Sequence, residues 1–174
     1  MSKADPNAPR AVLNCAVLTI SDSRTPENDT SGNYLAESVS AAGHRCVRRG
    51  ICSGNLYELR KIISDWIADS EVQVILTNGG TGFSHQKSTG AAITPLLDTT
   101  LTGFGELFRH LSFLEIGSST LQSDAFAGVA NDTLIFCMPG STGACKTAWE
   151  GIIKEQLDSS HRPCNFATHY LKNN

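Results

Sequence analysis

Val72-Gln73-Val74-Ile75-Leu76-Thr77 runs directly into Asn78-Gly79-Gly80-Thr81-Gly82. The apolar run reads as a buried strand, and three glycines fall within the next positions, 79–82. Such a junction presents bare backbone N–H groups to whatever lies beyond the sheet. In an open α/β sheet, ligands sit at the carboxyl ends of the strands. Glycines there let the main chain fold tightly and approach an anion closely. The junction therefore points to a phosphate-bearing or otherwise anionic small molecule.

The flanking chain supplies the rest of such a sheet. Val12 to Ile20 is an apolar run that ends in Ser21-Asp22-Ser23-Arg24, a first strand. Asp29 or Thr30 can cap a helix carrying Leu35, Val39 and Ala42, which Gly43 stops. Arg45 to Ile51 reads as a second strand, and Leu56, Leu59, Ile63, Trp66 and Ile67 recur at helical spacing. After the glycines, Ala91 to Leu97 reads as a short helix. Phe104, Leu107, Phe108 and Leu111 mark a longer one, with Gly103 and Gly105 at its start. Phe126 to Ala130 and Thr133 to Met138 flank Asn131-Asp132, a two-residue hairpin turn. The last strand ends in Pro139-Gly140-Ser141-Thr142-Gly143, before a helix carrying Ala148, Trp149, Ile152, Ile153 and Leu157. Strand and helix alternate, with one late hairpin. The expected fold is α/β: three layers, a mostly parallel sheet with helices on both faces, and one late β-hairpin. Residues 1–10 hold two prolines and no periodicity and read as a flexible tail. Residues 11–174 read as one domain.

Composition narrows the function. The chain has 174 residues, 40% hydrophobic and 18% charged, enough for a real core. A net charge of −3 argues against a nucleic-acid partner. No stretch approaches the ~18 continuous apolar residues of a membrane span. Met1 to Pro6 has no apolar signal core, so a cytoplasmic setting is expected. The six cysteines form no C-x-x-C pair; they read as reduced, structural thiols rather than a zinc site.

Three strand ends carry polar or glycine-rich loops: Ser21 to Arg24, Asn78 to Gly82, and Pro139 to Gly143. In a parallel sheet they open on one rim, and the third runs straight into a helix whose amino end can hold a phosphate. Other phosphate and nucleophile motifs are absent. His85 breaks a G-x-G-x-x-G pattern, no G-x-x-x-x-G-K-[ST] occurs, and no G-x-S-x-G elbow occurs. The five histidines share no ligand spacing. Of the acids, Asp22 follows the first strand and Glu106 sits at the first turn of a helix, where the dipole favours its charge. Both are weak catalytic candidates, and Asp98 reads as a turn residue.

Ser21-Asp22, Asp29-Thr30-Ser31-Gly32, Asn78 to Gly82, Gly103-Phe104-Gly105-Glu106 and Pro139-Gly140-Ser141 occur in a telling order. In that order the chain resembles the molybdenum cofactor biosynthesis proteins that bind or adenylate molybdopterin, over roughly residues 12–168. Leu111 to Leu121 and Arg162-Pro163-Cys164-Asn165-Phe166 are similar to one branch of that family. The resemblance implies a molybdopterin-binding domain that forms homotrimers, paired into hexamers in some members. Active relatives adenylate molybdopterin with ATP and Mg²⁺. It implies ligand-binding roles for Ser31, Gly32, Gly79, Gly80, Thr81, Gly82, Glu106, Gly140 and Ser141. The match breaks after the glycines. Where active relatives read Arg-Asp-x-Thr-Pro-Glu, this chain reads Gln86-Lys87-Ser88-Thr89-Gly90-Ala91, so Lys87 replaces an aspartate. A second family acid falls near Gly54. An ammonium group can contact a phosphate but cannot hold Mg²⁺. The readings that stand are a molybdopterin adenylyltransferase, a pterin-binding or storage protein without the catalytic acids, and a nucleotide-binding regulatory module. No certain metal ligand is assigned.

Overall fold

The computed structural model describes residues 4–83 and 88–171. Its strands are β1 (Asn14–Ile20), β2 (Arg45–Cys52), β3 (Val74–Gly79), β4 (Thr99–Thr100), β5 (Phe126–Ala130) and β6 (Thr133–Met138). They form one six-stranded sheet in the order β2-β1-β3-β6-β5-β4. β2, β1, β3 and β6 run parallel; β5 is antiparallel to β6, and β4 to β5. The mostly parallel α/β sheet is thus the one expected, with the hairpin at Asn131-Asp132. Both turn residues have positive φ, 45° and 64°, as a type I′ turn requires.

The alternation of β1 builds two cores. Cys15 and Val17 face one side, with Leu35, Val39, Phe108 and Trp149. Ala16, Leu18 and Ile20 face the other, with Leu59, Ile63 and Ile93. The first layer comprises α1 (Thr30–Ala41), α4 (Thr102–Ile116) and α5 (Thr142–Ala148). The second comprises α2 (Leu56–Ala68) and α3 (Thr89–Ile93). The chain after α5 continues through a π-helical turn, Trp149–Ile153, into α6 (Lys154–Gln156), and α7 (Ala167–Tyr170) follows.

Local chemistry sets the helix ends. The Asp29 carboxylate accepts the Gly32 amide at 2.9 Å, and Gly43 ends the following turn at φ 87°. Asn55 Oδ1 accepts the amides of Tyr57 and Glu58. β3 ends two residues later than its apolar run, because Asn78 and Gly79 still pair with Thr19 and Ile20 of β1. The short helix expected at 91–97 begins instead at Thr89 and tightens to a 3₁₀ turn at Thr94–Leu96. β4, the 3₁₀ turn Gly117–Gln122 and α7 are too short to carry a periodic signal. The segment read as a tail is tied back at several points. Asp5 N donates to Ser160 O, the Arg10 guanidinium pairs with Asp158, and Ser159 Oγ donates to Pro9 O. Among the described residues, no helix is long and apolar enough to cross a membrane.

Candidate functional site

The strand order reverses between β1 and β3: β1 leads outward to β2, and β3 leads the other way to β6. Crevices at such a reversal are where open α/β sheets hold ligands. Ile20 pairs with Gly79, and Asn78 pairs with Met138, so the tips of β1, β3 and β6 lie side by side. The three loops expected on one rim are brought together.

Gly79 and Gly80 are required by space as well as by φ. At Gly79 (φ 92°) a Cβ would stand 2.2 Å from the Ile20 carbonyl oxygen. At Gly80 (φ 61°) it would stand 2.3 Å from Thr89 Oγ1. Thr89 fixes the direction of the loop: its hydroxyl donates to Gly79 O at 2.8 Å and its amide to Gly80 O at 3.1 Å. In a trans peptide the N–H points opposite to the C=O. Both amides therefore face away from α3: that of Gly80 lies at the end of the β1–β3 ladder, beside the Ile20 carbonyl, and that of Thr81 is taken by no protein acceptor among the described residues. A free amide in a glycine turn at a strand tip is a donor suited to an anion. Gly82 (φ 97°) then swings the chain toward Gln122, whose carbonyl oxygen lies 3.6 Å from the place of a Cβ.

The neighbouring loops close the cradle from the side of α1 and α5. A Cβ on Gly140 would lie 3.1 Å from Gly79 Cα, so these loops touch through two bare backbones. Ser141 caps α5 by accepting the Ala144 amide at 3.1 Å. Ser31 Oγ donates to Gly140 O at 3.0 Å and lies 3.1 Å from Thr142 Oγ1, which is 3.0 Å from Thr30 Oγ1. The amino ends of two helices are thus stitched together beside the glycine loop. Their dipoles add positive potential where an anion would sit.

Beneath this rim runs a buried polar chain that the sequence reading did not assign. Asn78 Nδ2 donates to Thr19 Oγ1 at 2.9 Å, and Thr19 Oγ1 donates to Asp29 Oδ2 at 2.8 Å. Asp29 is 1% exposed and faces the Arg49 guanidinium at 3.5 Å. Its signal in the sequence was the pattern Asp29-Thr30-Ser31-Gly32, read there as a helix start and as part of the family resemblance, with no role given to Asp29 beyond the cap. Gly32 belongs to the same knot, since a Cβ on it would lie 2.0 Å from Asp29 Oδ2. Among the described residues, Asn78 Oδ1, Thr81 Oγ1 and Ser88 Oγ are buried without a hydrogen-bond partner, all beside the glycine loop.

The remaining candidates scatter. Asp22 Oδ1 accepts the Gly54 amide at 2.9 Å, so this acid joins the loop after β1 to the turn after β2. Glu106 stands exposed on the second turn of α4, not on the first turn as expected, because the helix already begins at Thr102; it lies two residues from Phe104, which packs on Phe136 in the body of β6. Lys87 and His85 lie outside the described residues. The buried thiols near the rim are poor nucleophiles: burial pushes Cys137 and Cys145 each up to about 12. Phe83, 93% exposed, follows the last glycine of the loop.

Comparison with known proteins agrees with this architecture. Residues 16–159 match the family model described as a probable molybdopterin binding domain. Molybdenum cofactor biosynthesis protein B of Escherichia coli (strain K12) is 55% identical over 157 residues, 90% of this chain and 92% of that protein. The protein of the same name from Staphylococcus carnosus is 42% identical over 149 residues, 84% of this chain and 87% of its own. Among solved structures, one molybdenum cofactor biosynthesis protein B superposes with a TM-score of 0.81 at 39% identity, covering 84% of this chain and 91% of that one. A tungsten cofactor synthesizing protein from Pyrococcus furiosus superposes with a TM-score of 0.76 at 30% identity, over 93% and 96% of the two chains. With its strand order, its glycine cradle and these likenesses together, the chain belongs to the molybdopterin-binding family of molybdenum cofactor biosynthesis proteins.

Proposed function

We propose that this protein binds molybdopterin at the rim where β1, β3 and β6 end, and holds it without adenylating it. The observation that carries the reading is the outward-facing Thr81 amide, its peptide fixed by the Thr89 N–H bond to Gly80 O, beside the joined amino ends of α1 and α5. That arrangement supplies donors and positive potential to the ligand's phosphate. Ser31, Gly32, Gly79, Gly82, Gly140 and Ser141 complete the cradle. Lys87 is assigned to the ligand's phosphate from its place after the glycines and because an ammonium group binds phosphate as a point charge. The carboxylates do not favour adenylyl transfer with ATP and Mg²⁺. Asp22 is engaged with the Gly54 amide, Asp29 is spent on a helix cap, and Glu106 stands on α4. Magnesium sites at phosphates are built from converging carboxylate oxygens.

Two measurements test this. Titrating the protein with molybdopterin should show binding that is lost in Gly80→Val, whose side chain would collide with Thr89 and Ile20 and displace the loop; equal affinity for both would refute the reading. Incubating the protein with molybdopterin, ATP and Mg²⁺ should give no adenylated pterin above a no-protein control. Product would establish the adenylyltransferase reading instead, with Asp22 as its first candidate acid. Where wild type forms no product, a double change, Lys87→Asp with Gly54→Asp, should confer turnover.

We also propose a homotrimer, or a hexamer of two such trimers, with residues 11–174 as one domain. Of the two helices that can meet a neighbour, α4 is the better fitted. Leu107, Phe113, Leu114 and Ile116 are exposed on it, with Leu121 in the next turn, whereas α2 exposes only Tyr57 among large apolar side chains. A cytoplasmic, reducing setting fits six cysteines that are all unpaired.

A further inference from the structure

The buried chain under the glycine loop has a direction that chemistry fixes. The Asp29 carboxylate accepts and does not donate, and it takes the proton of Thr19 Oγ1 at 2.8 Å. A hydroxyl has one proton, so toward Asn78 the same oxygen must accept, and Asn78 Nδ2 donates to it at 2.9 Å. An amide that commits its nitrogen to Thr19 turns its oxygen the other way. The orientation of Asn78 is thus set by the network rather than chosen. Its Oδ1 is an acceptor with no partner among the described residues, on a residue only 1% exposed. It cannot rotate toward a donor of its own without breaking the link to Asp29. Buried amide oxygens are rarely left in this state, because an unmade hydrogen bond is costly.

The place of this oxygen matters as much as its state. Asn78 pairs with Thr19 on β1 and with Met138 on β6, at the strand reversal, and the glycine loop begins at the next residue. The cradle above offers donors, namely backbone amides and helix amino ends, which suit an anion. Asn78 offers the opposite chemistry. We propose that Asn78 Oδ1 is a specificity-determining contact that accepts a hydrogen bond from the ring of the ligand, a flat heterocycle carrying N–H donors. The ring amide N–H and the exocyclic amine of a pterin are donors of this class. This assignment rests on the pterin-binding reading above. A site built around a buried hydrogen-bonding group discriminates strongly against ligands that leave it unpaired.

The test compares two probes on wild type, Asn78→Leu and Asn78→Ser. Molybdopterin carries both the ring donors and a phosphate; inorganic pyrophosphate at pH 8 carries only the anionic part. In Asn78→Leu, the affinity for molybdopterin should fall about tenfold or more, while that for pyrophosphate stays within about twofold. Asn78→Ser keeps a hydroxyl near Thr19 but withdraws the acceptor, and it should show the same split if the leucine variant fails to fold. Unchanged molybdopterin affinity in a folded variant overturns the assignment. So does a parallel fall for both probes, which would make Asn78 a structural residue. Wild type that binds pyrophosphate but not molybdopterin overturns the pterin reading itself, and this assignment with it.

Discussion

Gly80 shows how one residue carries the site. Its positive φ is open to glycine and strained for alanine, and the missing Cβ leaves room for Thr89 Oγ1. Gly80→Ala should destabilise the fold by about 1–3 kcal/mol, read as a lower urea midpoint at unchanged slope. His44 offers a second, independent reading at this scale. It is 8% exposed, and its Nδ1 accepts the Leu13 amide at 3.2 Å. Burial lowers its pKa from the ordinary 6.5, against a smaller upward pull from Asp158. The unfolded chain therefore binds this proton more readily than the folded one. The stabilising contribution is complete above the unfolded value near 6.5 and is lost as pH falls from there through the folded value. Unfolding free energy measured across pH 7 to 5 should drop for wild type, and His44→Gln should flatten that part of the profile.

At the scale of elements, α1 and α2 make a matched pair of N-caps with different weight. Asn55 is a partly solvated cap that bonds two amides of α2, so Asn55→Ala should cost about 1 kcal/mol and leave ligand affinity alone. Asp29 caps α1 from within the core, bonds Thr19 and faces Arg49. Asp29→Ala removes the cap and leaves the Thr19 hydroxyl unpaired as well, so about 2–4 kcal/mol is expected. It should also weaken molybdopterin binding, because the amino end of α1 carries Ser31 to the Gly140 carbonyl. Denaturation and titration of both variants check the contrast. Equal effects on affinity would show that the α1 cap has no bearing on the site.

At the scale of the molecule, the apolar surface of α4 and the turn after it has no counterpart on α2. Leu114 is 71% exposed and Leu121 is 85% exposed. In the proposed trimer these side chains are covered. Light scattering of wild type should give a multiple of the 18.6 kDa chain, and Leu114→Glu should shift the mass toward one chain. A monomeric wild type across micromolar concentrations would rule the assembly out. A variant that stays trimeric would move the interface away from α4.

Much of this was legible in residue order alone. Alternating apolar runs and helical spacings defined the parallel sheet, since period 2 and period 3.6 are local properties of the chain. Asn131-Asp132 announced its hairpin, and Gly79 to Gly82 announced a ligand-facing loop, because positive φ and close approach select glycine or asparagine wherever they occur. What residue order left open were relations across the sheet. That Asn78 reaches Thr19 and Thr19 reaches Asp29, 59 and 10 positions apart, follows from strand register. That Ser31 meets Gly140 follows from how α1 and α5 pack. Asp22 and Glu106 looked alike as acids beside loops, and only the packing of α4 and the turn at Gly54 set them apart. Periodicity is written in neighbours along the chain, whereas a site is made by side chains that meet only once the layers have closed.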